Sequence, residues 1–201
     1  KYALEQKGIY IGTHVKRCGG IADSDFGDLL SDITSLNGKT FAVLEDEKGE
    51  QMRQAVLDAA ADGDSVGGVL ETAIVGMPAG VGEPWFAPLE SMLSHMMFSI
   101  PAVKGIEFGA GFAISDMRGS GANDPFRMEN GRVVSATNNN GGINGGITNG
   151  MPVIFRCAVR PTPTLSQAQN TVDMQRMENA ELVSKGRHDP CIVHRARIVA
   201  D

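Results

Sequence analysis

The sequence predicts an α+β fold with mainly antiparallel sheets, on three observations. Strand-like and helix-like segments follow one another without the regular spacing of a doubly wound nucleotide-binding fold. The strand segments alternate apolar with polar or small residues, and the helix segments repeat apolar residues at helical spacing. Glycine-rich turns separate them: 25 of 201 residues are glycine and only 5% are aromatic, so backbone geometry matters more here than aromatic bulk.

Gly8–Val15 alternates around Ile9, Ile11, Thr13 and Val15 and reads as a first, half-buried strand. Glu50–Ala61 uses good helix formers and places Met52, Ala55, Val56 and Ala59 on one face, with Asp62-Gly63-Asp64 as the stop. Val66–Val75 reads as a second strand closed by Gly76-Met77-Pro78, its glycines permitting a bulge or close packing. A second helix is expected from Pro88 through Leu89, Met92, Leu93, Met96 and Met97, whose spacing makes the methionines core residues rather than ligands. Val103–Phe112 resumes strand character, and Pro152–Val159 gives a last strand. Between these two, Arg118–Pro125 is polar and turn-rich, so residues 115–135 are expected to form a mobile loop.

With 42% hydrophobic and 21% charged residues the chain can bury a sizeable core, and residues 1–201 are read as a single domain. A formal charge of −6 argues against nucleic acid as a partner, because backbone phosphates need a basic surface. No apolar run approaches the roughly 18 residues needed to span a bilayer, and the first residues hold no hydrophobic signal core, so no membrane and a cytoplasmic location are the expectations. Cys18, Cys157 and Cys191 are odd in number and lack CxxC spacing, which reads as reduced thiols rather than a disulfide framework or a metal site.

Three segments could carry chemistry. In Asn138–Gly150 the unit Gly-Gly-Ile recurs four residues later. Paired glycines let a backbone approach a ligand and expose N–H groups to an anion, although the same pattern serves a tight structural turn. Arg160-Pro161-Thr162-Pro163-Thr164 follows an apolar strand with a cation, hydroxyls and a stiff backbone. It could grip a phosphate or simply end an edge strand. Gly186-Arg187-His188-Asp189-Pro190-Cys191 concentrates titratable groups: Asp189 could accept a proton and Arg187 hold a phosphate, or the two could form an ion pair across a solvated turn. His14 and His95 read as ordinary packing or surface residues.

In this order Asp64–Gly68, Gly76–Pro84, Ser99–Gly109, the Asn-Gly cluster, Arg160–Thr164 and Arg187–Cys191 closely resemble chorismate synthases. The collinear blocks cover most of the chain. The resemblance implies a fold with helices layered between antiparallel β-sheets, and a phosphate lyase that converts 5-enolpyruvylshikimate 3-phosphate to chorismate by 1,4-elimination. It implies reduced FMN as cofactor, with NADPH entering only where an enzyme reduces its own flavin, and a homotetramer whose subunits share flavin sites.

Position by position, the resemblance assigns Ala102 and Gly145 to backbone contacts with flavin. It assigns Arg160, Pro161, Thr162, Pro163 and Thr164 to the cofactor's tail or ring edge, places Arg187 facing the flavin, and makes Asp189 the catalytic carboxylate. Arg160 stands where the family usually has Lys, exchanging a point cation for a planar fork, and Asp201 stands where Glu is common. The family's two histidine motifs and its arginine-serine flavin segment are absent, so the chain is expected to correspond to the C-terminal portion of such an enzyme and to be inactive alone. The alternative is a non-catalytic scaffold or assembly domain of the same fold.

Overall fold

β-Branched and apolar residues at alternate positions drive the central sheet, as the sequence predicts. A computed structural model describes residues 1–201. The chain runs through a short helix α1 (Tyr2–Glu5), β1 (Tyr10–Cys18), β2 (Ile21–Ala22), α2 (Leu29–Leu36), α3 (Asp46–Ala61), β3 (Gly68–Val75), α4 (Leu89–Phe98) and β4 (Val103–Phe108). A 3-10 segment (Gly111–Asp116) and α5 (Gly119–Ala122) precede the hairpin of β5 (Phe126–Glu129) and β6 (Arg132–Ser135) and that of β7 (Ile143–Asn144) and β8 (Ile147–Thr148). The long strand β9 (Val153–Val159), a third hairpin of β10 (Gln169–Asp173) and β11 (Glu178–Leu182), and α6 (Val193–Ala200) follow.

Five strands form one antiparallel sheet in the order β2-β1-β3-β9-β4. Its register sorts the side chains onto two faces. One carries Ile11, Val15, Leu70, Ile74, Val153, Phe155, Cys157 and Ile106, and packs against Met97 and Ile100 at the end of α4 and Val193 and Ala196 of α6. The other carries His14, Glu71, Arg156 and Glu107, which stand opposite one another on successive strands. The molecule is thus α+β, with helices layered on an antiparallel sheet.

Local chemistry explains the departures from the expected elements. α3 starts at Asp46 rather than Glu50, with Asp46 and Glu47 placed in its first turn where carboxylates favour the helix dipole. α2, not expected from the sequence, is capped by Asp28, which accepts from the backbone N–H of Ser31, and it buries Ile33 and Leu36. Pro88 caps α4 instead of occupying its first turn. Only Met97 of its methionines enters the core, while Met92 and Met96 are exposed, so the core stripe is narrower than the spacing suggested. β4 ends at Phe108 because Gly109 and Gly111, both at positive φ, turn the backbone out of the sheet. Residues 115–135 hold α5 and the β5–β6 hairpin.

Candidate functional site at the strand ends

β9 ends at Val159 and delivers Arg160–Thr164 to the rim of the sheet, beside the start of β4. There the backbone N–H of Arg160 donates to the Ala102 carbonyl at 3.0 Å. Ala102 itself adopts φ +74°, a conformation that costs an L-residue roughly 1–2 kcal/mol and persists only where its surroundings impose it. Ser65, ahead of β3, donates from Oγ to the Thr162 carbonyl at 2.7 Å. The next residue, Val66, donates its N–H to the Pro190 carbonyl at 2.8 Å. Ala102, Arg160–Thr164 and the Asp189-Pro190 corner therefore form one continuous rim, joined by contacts that span about 60 to 125 positions of the chain.

Asp189 is half-exposed and forms an ion pair with Arg195 of α6, not with Arg187 as the sequence allowed. Arg187 is exposed. Arg195 carried no sequence signal, and Ser65 lay in the Asp64–Gly68 block without being singled out; the contact each makes is found only through the partner that folding brings to it.

Gly145 lies elsewhere. It occupies the exposed tip of the β7–β8 hairpin at φ +59°, with nothing within 4 Å of the place a Cβ would take. Its neighbour Gly146 accepts from the backbone N–H of Leu89 at 3.0 Å, fixing the hairpin to the N-terminal end of α4. Ala102 follows the opposite end, so the two positions are separated by about 15 Å of helix. The turn before this hairpin is organised by Asp124, which accepts from the backbone N–H groups of Asn139 and Asn140 at 2.7 and 2.8 Å and from the Thr137 hydroxyl at 2.7 Å. Burial works against its charge, but these donors outweigh it and hold the carboxyl below the usual range.

Beneath the rim, the polar face of the sheet carries a ladder of alternating charge. His14, wholly buried, places Nδ1 at 2.8 Å from Asp23 and Nε2 at 3.0 Å from Glu71. Arg156 follows, 3.8 Å from Glu71 and 2.8 Å from Glu107, and donates to the Gly109 carbonyl at 2.6 Å. Burial alone would lower the His14 pKa, yet hydrogen bonds to Asp23 and Glu71 and their charges overcome it and raise the pKa above 6.5. This corrects the reading of His14 as ordinary packing, because period-2 alternation shows which face a residue takes but not the charges opposite it.

A family model described as chorismate synthase matches residues 1–201. The chain belongs to the chorismate synthase family. It is 45% identical over 204 aligned positions to the chorismate synthase of Methanosarcina acetivorans and 43% identical over 201 to that of Thermococcus gammatolerans, covering all of this chain and 55% of each relative. A crystal structure of a chorismate synthase superposes with a TM-score of 0.73 at 32% identity, covering 80% of this chain and 52% of that one. The chain thus spans about half the length of the curated chorismate synthases it matches.

Chorismate synthases require reduced FMN, and the rim offers a donor set suited to a phosphate-bearing cofactor. Thr162 Oγ1 is buried without a hydrogen-bond partner. Two residues away, the exposed Arg160 guanidinium touches only the Pro161 carbonyl, at 3.4 Å. A hydroxyl and a planar cation so placed fit an anionic oxygen. No helix is long and apolar enough to cross a membrane.

Proposed function

We propose that these residues form the C-terminal portion of a chorismate synthase that converts 5-enolpyruvylshikimate 3-phosphate to chorismate and phosphate. The observation that carries this reading is the family match across residues 1–201. Reduced FMN, when bound, supplies the electron density that promotes loss of phosphate, with no net redox change.

Arg160 and Thr162 hold the cofactor's anionic end, the guanidinium through its fork and the threonine through its unpartnered hydroxyl. Pro161 and Pro163 fix the extended backbone that presents them, and Thr164 closes the segment. Ala102 offers its strained backbone to the same cofactor, while Gly145, at the far end of α4, serves another part of the flavin site. Asp189 is the proton acceptor: its carboxylate is accessible, and Arg195 orients it. Arg187, exposed on the same segment, would add a cation toward the bound flavin. The complete enzyme is a cytoplasmic homotetramer, and the 201 residues alone do not turn over, since they represent about half of a relative's length.

Asp189→Asn in the complete enzyme tests the assignment. Turnover falls by two orders of magnitude or more, in the range of a lost general base, while FMN affinity in a fluorescence titration stays within about twofold. Unchanged turnover removes Asp189 from the mechanism.

A further inference from the structure

Cys18 and Cys191 are 173 positions apart, so no spacing in the sequence pairs them. The fold does. Cys18 ends β1 and is fully buried, Cys191 lies two residues before α6 and is 3% exposed, and their sulfurs are 3.6 Å apart. The third cysteine, Cys157, is buried without a thiol neighbour, and burial pushes its pKa up to about 12.

The two sulfurs are not equivalent. Hydrogen bonding from the Cys18 thiol favours the thiolate form of Cys191 strongly enough to overcome burial. The backbone N–H groups of Val193 and His194 and the charge of Arg195 act in the same sense. Cys18 is shifted upward and keeps its proton. The arrangement supplies a nucleophile and a resolving thiol in van der Waals contact.

Access comes from the irregular segment to which Cys191 itself belongs. Residues 183–192 have no regular secondary structure, and Val183, Lys185, Gly186 and Arg187 are exposed. The Val66–Pro190 backbone bond and the Asp189–Arg195 ion pair tether this segment to the body of the protein. Local opening of such a lightly held segment uncovers Cys191 without global unfolding.

We propose that Cys18 and Cys191 are a redox-active dithiol, a modification site that takes hydrogen peroxide as its oxidant and closes to a disulfide fastening the Arg187–Asp189 segment to the end of β1. The Cys191 thiolate attacks one peroxide oxygen, the O–O bond breaks, and the departing hydroxide takes a proton from solvent to become water, leaving a sulfenic acid on Cys191. The Cys18 sulfur then attacks the Cys191 sulfur; the S–S bond forms, the S–O bond breaks, and the hydroxide leaves as water with the Cys18 proton. Two thiols lose two electrons and one peroxide becomes two waters. Closure brings the sulfurs from 3.6 Å to about 2.05 Å, a movement the irregular segment can supply. An external dithiol reverses it. The site rests on this chain's own geometry and does not depend on the proposed catalytic activity.

The folded 201-residue chain, treated with a small excess of hydrogen peroxide, then alkylated and digested with trypsin, provides the test. The three cysteines fall in separate peptides, residues 18–39, 157–176 and 188–195. The expected product is peptide 18–39 joined to peptide 188–195, about 2 Da lighter than the two reduced peptides together, with Cys157 alkylated and the link lost on dithiothreitol treatment. Cys157→Ser should retain the link. Cys18→Ala should abolish it and carry Cys191 on to sulfinic acid, because no resolving thiol remains. Three free thiols under conditions that oxidise the urea-unfolded chain would overturn the proposal, as would a link through Cys157 or between two chains. The wild-type peptide map decides the question even if a variant fails to fold.

Discussion

His14 sits between two carboxylates with no exposure to solvent, and its protonation connects to stability in a definite direction. Its folded pKa lies above 6.5, so its contribution is full below that value and is lost as pH rises through the folded pKa. Asp23 behaves oppositely. Burial opposes its charge, but His14 and the backbone N–H groups of Leu44 and Glu45 hold its pKa below 3.8, so its contribution is present above 3.8 and is lost as pH falls through the folded pKa. Urea midpoints should therefore be highest between these limits and fall on the alkaline side. His14→Ala should cost about 3–5 kcal/mol at pH 6, by leaving Asp23 buried without its cation and Glu71 with only Arg156, 3.8 Å away, and should flatten the alkaline slope. A slope unchanged by the substitution would assign that pH dependence to other groups. The strand holding His14 was legible from its alternation, but its role was not, because Asp23 and Glu71 become its partners only through the β1–β3 register and the turn after β2.

At the scale of elements, the β7–β8 hairpin separates a glycine the fold needs from one it leaves free. A Cβ on Gly146 would lie 2.5 Å from the Glu83 carbonyl and 2.6 Å from Pro88, at φ +88°. Gly146→Ala should destabilise the chain by about 2–3 kcal/mol, through overpacking and left-handed strain together. Gly145 has open space and bears only the cost of its positive φ, so Gly145→Ala should cost about 1 kcal/mol. Equal losses for both in urea unfolding would contradict the placement of the hairpin against α4. The repeated Gly-Gly-Ile unit marked this segment in the sequence, but both a ligand cradle and a structural turn fitted it; the neighbours of each glycine distinguish them. Helix α4 was legible in extent but not in depth, because the helical spacing of Met92, Met96 and Met97 does not show how far round the helix the core reaches.

For the molecule as a whole, local patterns were enough to predict the α+β class, and collinear motif blocks were enough to indicate the family. Folding adds long-range closure: Ala102, Ser65, Arg160–Thr164 and Pro190 meet at one rim through hydrogen bonds that no local window contains. Arg195 likewise becomes visible as the partner of Asp189 only when α6 packs beside it. The proposed assignment of this rim is to a flavin-dependent phosphate lyase. Its most direct test follows chorismate and phosphate together, using the complete protein that carries these residues with 5-enolpyruvylshikimate 3-phosphate, with and without reduced FMN. Equal amounts of both products should form, and only when reduced FMN is present; phosphate release without reduced flavin would contradict the assignment.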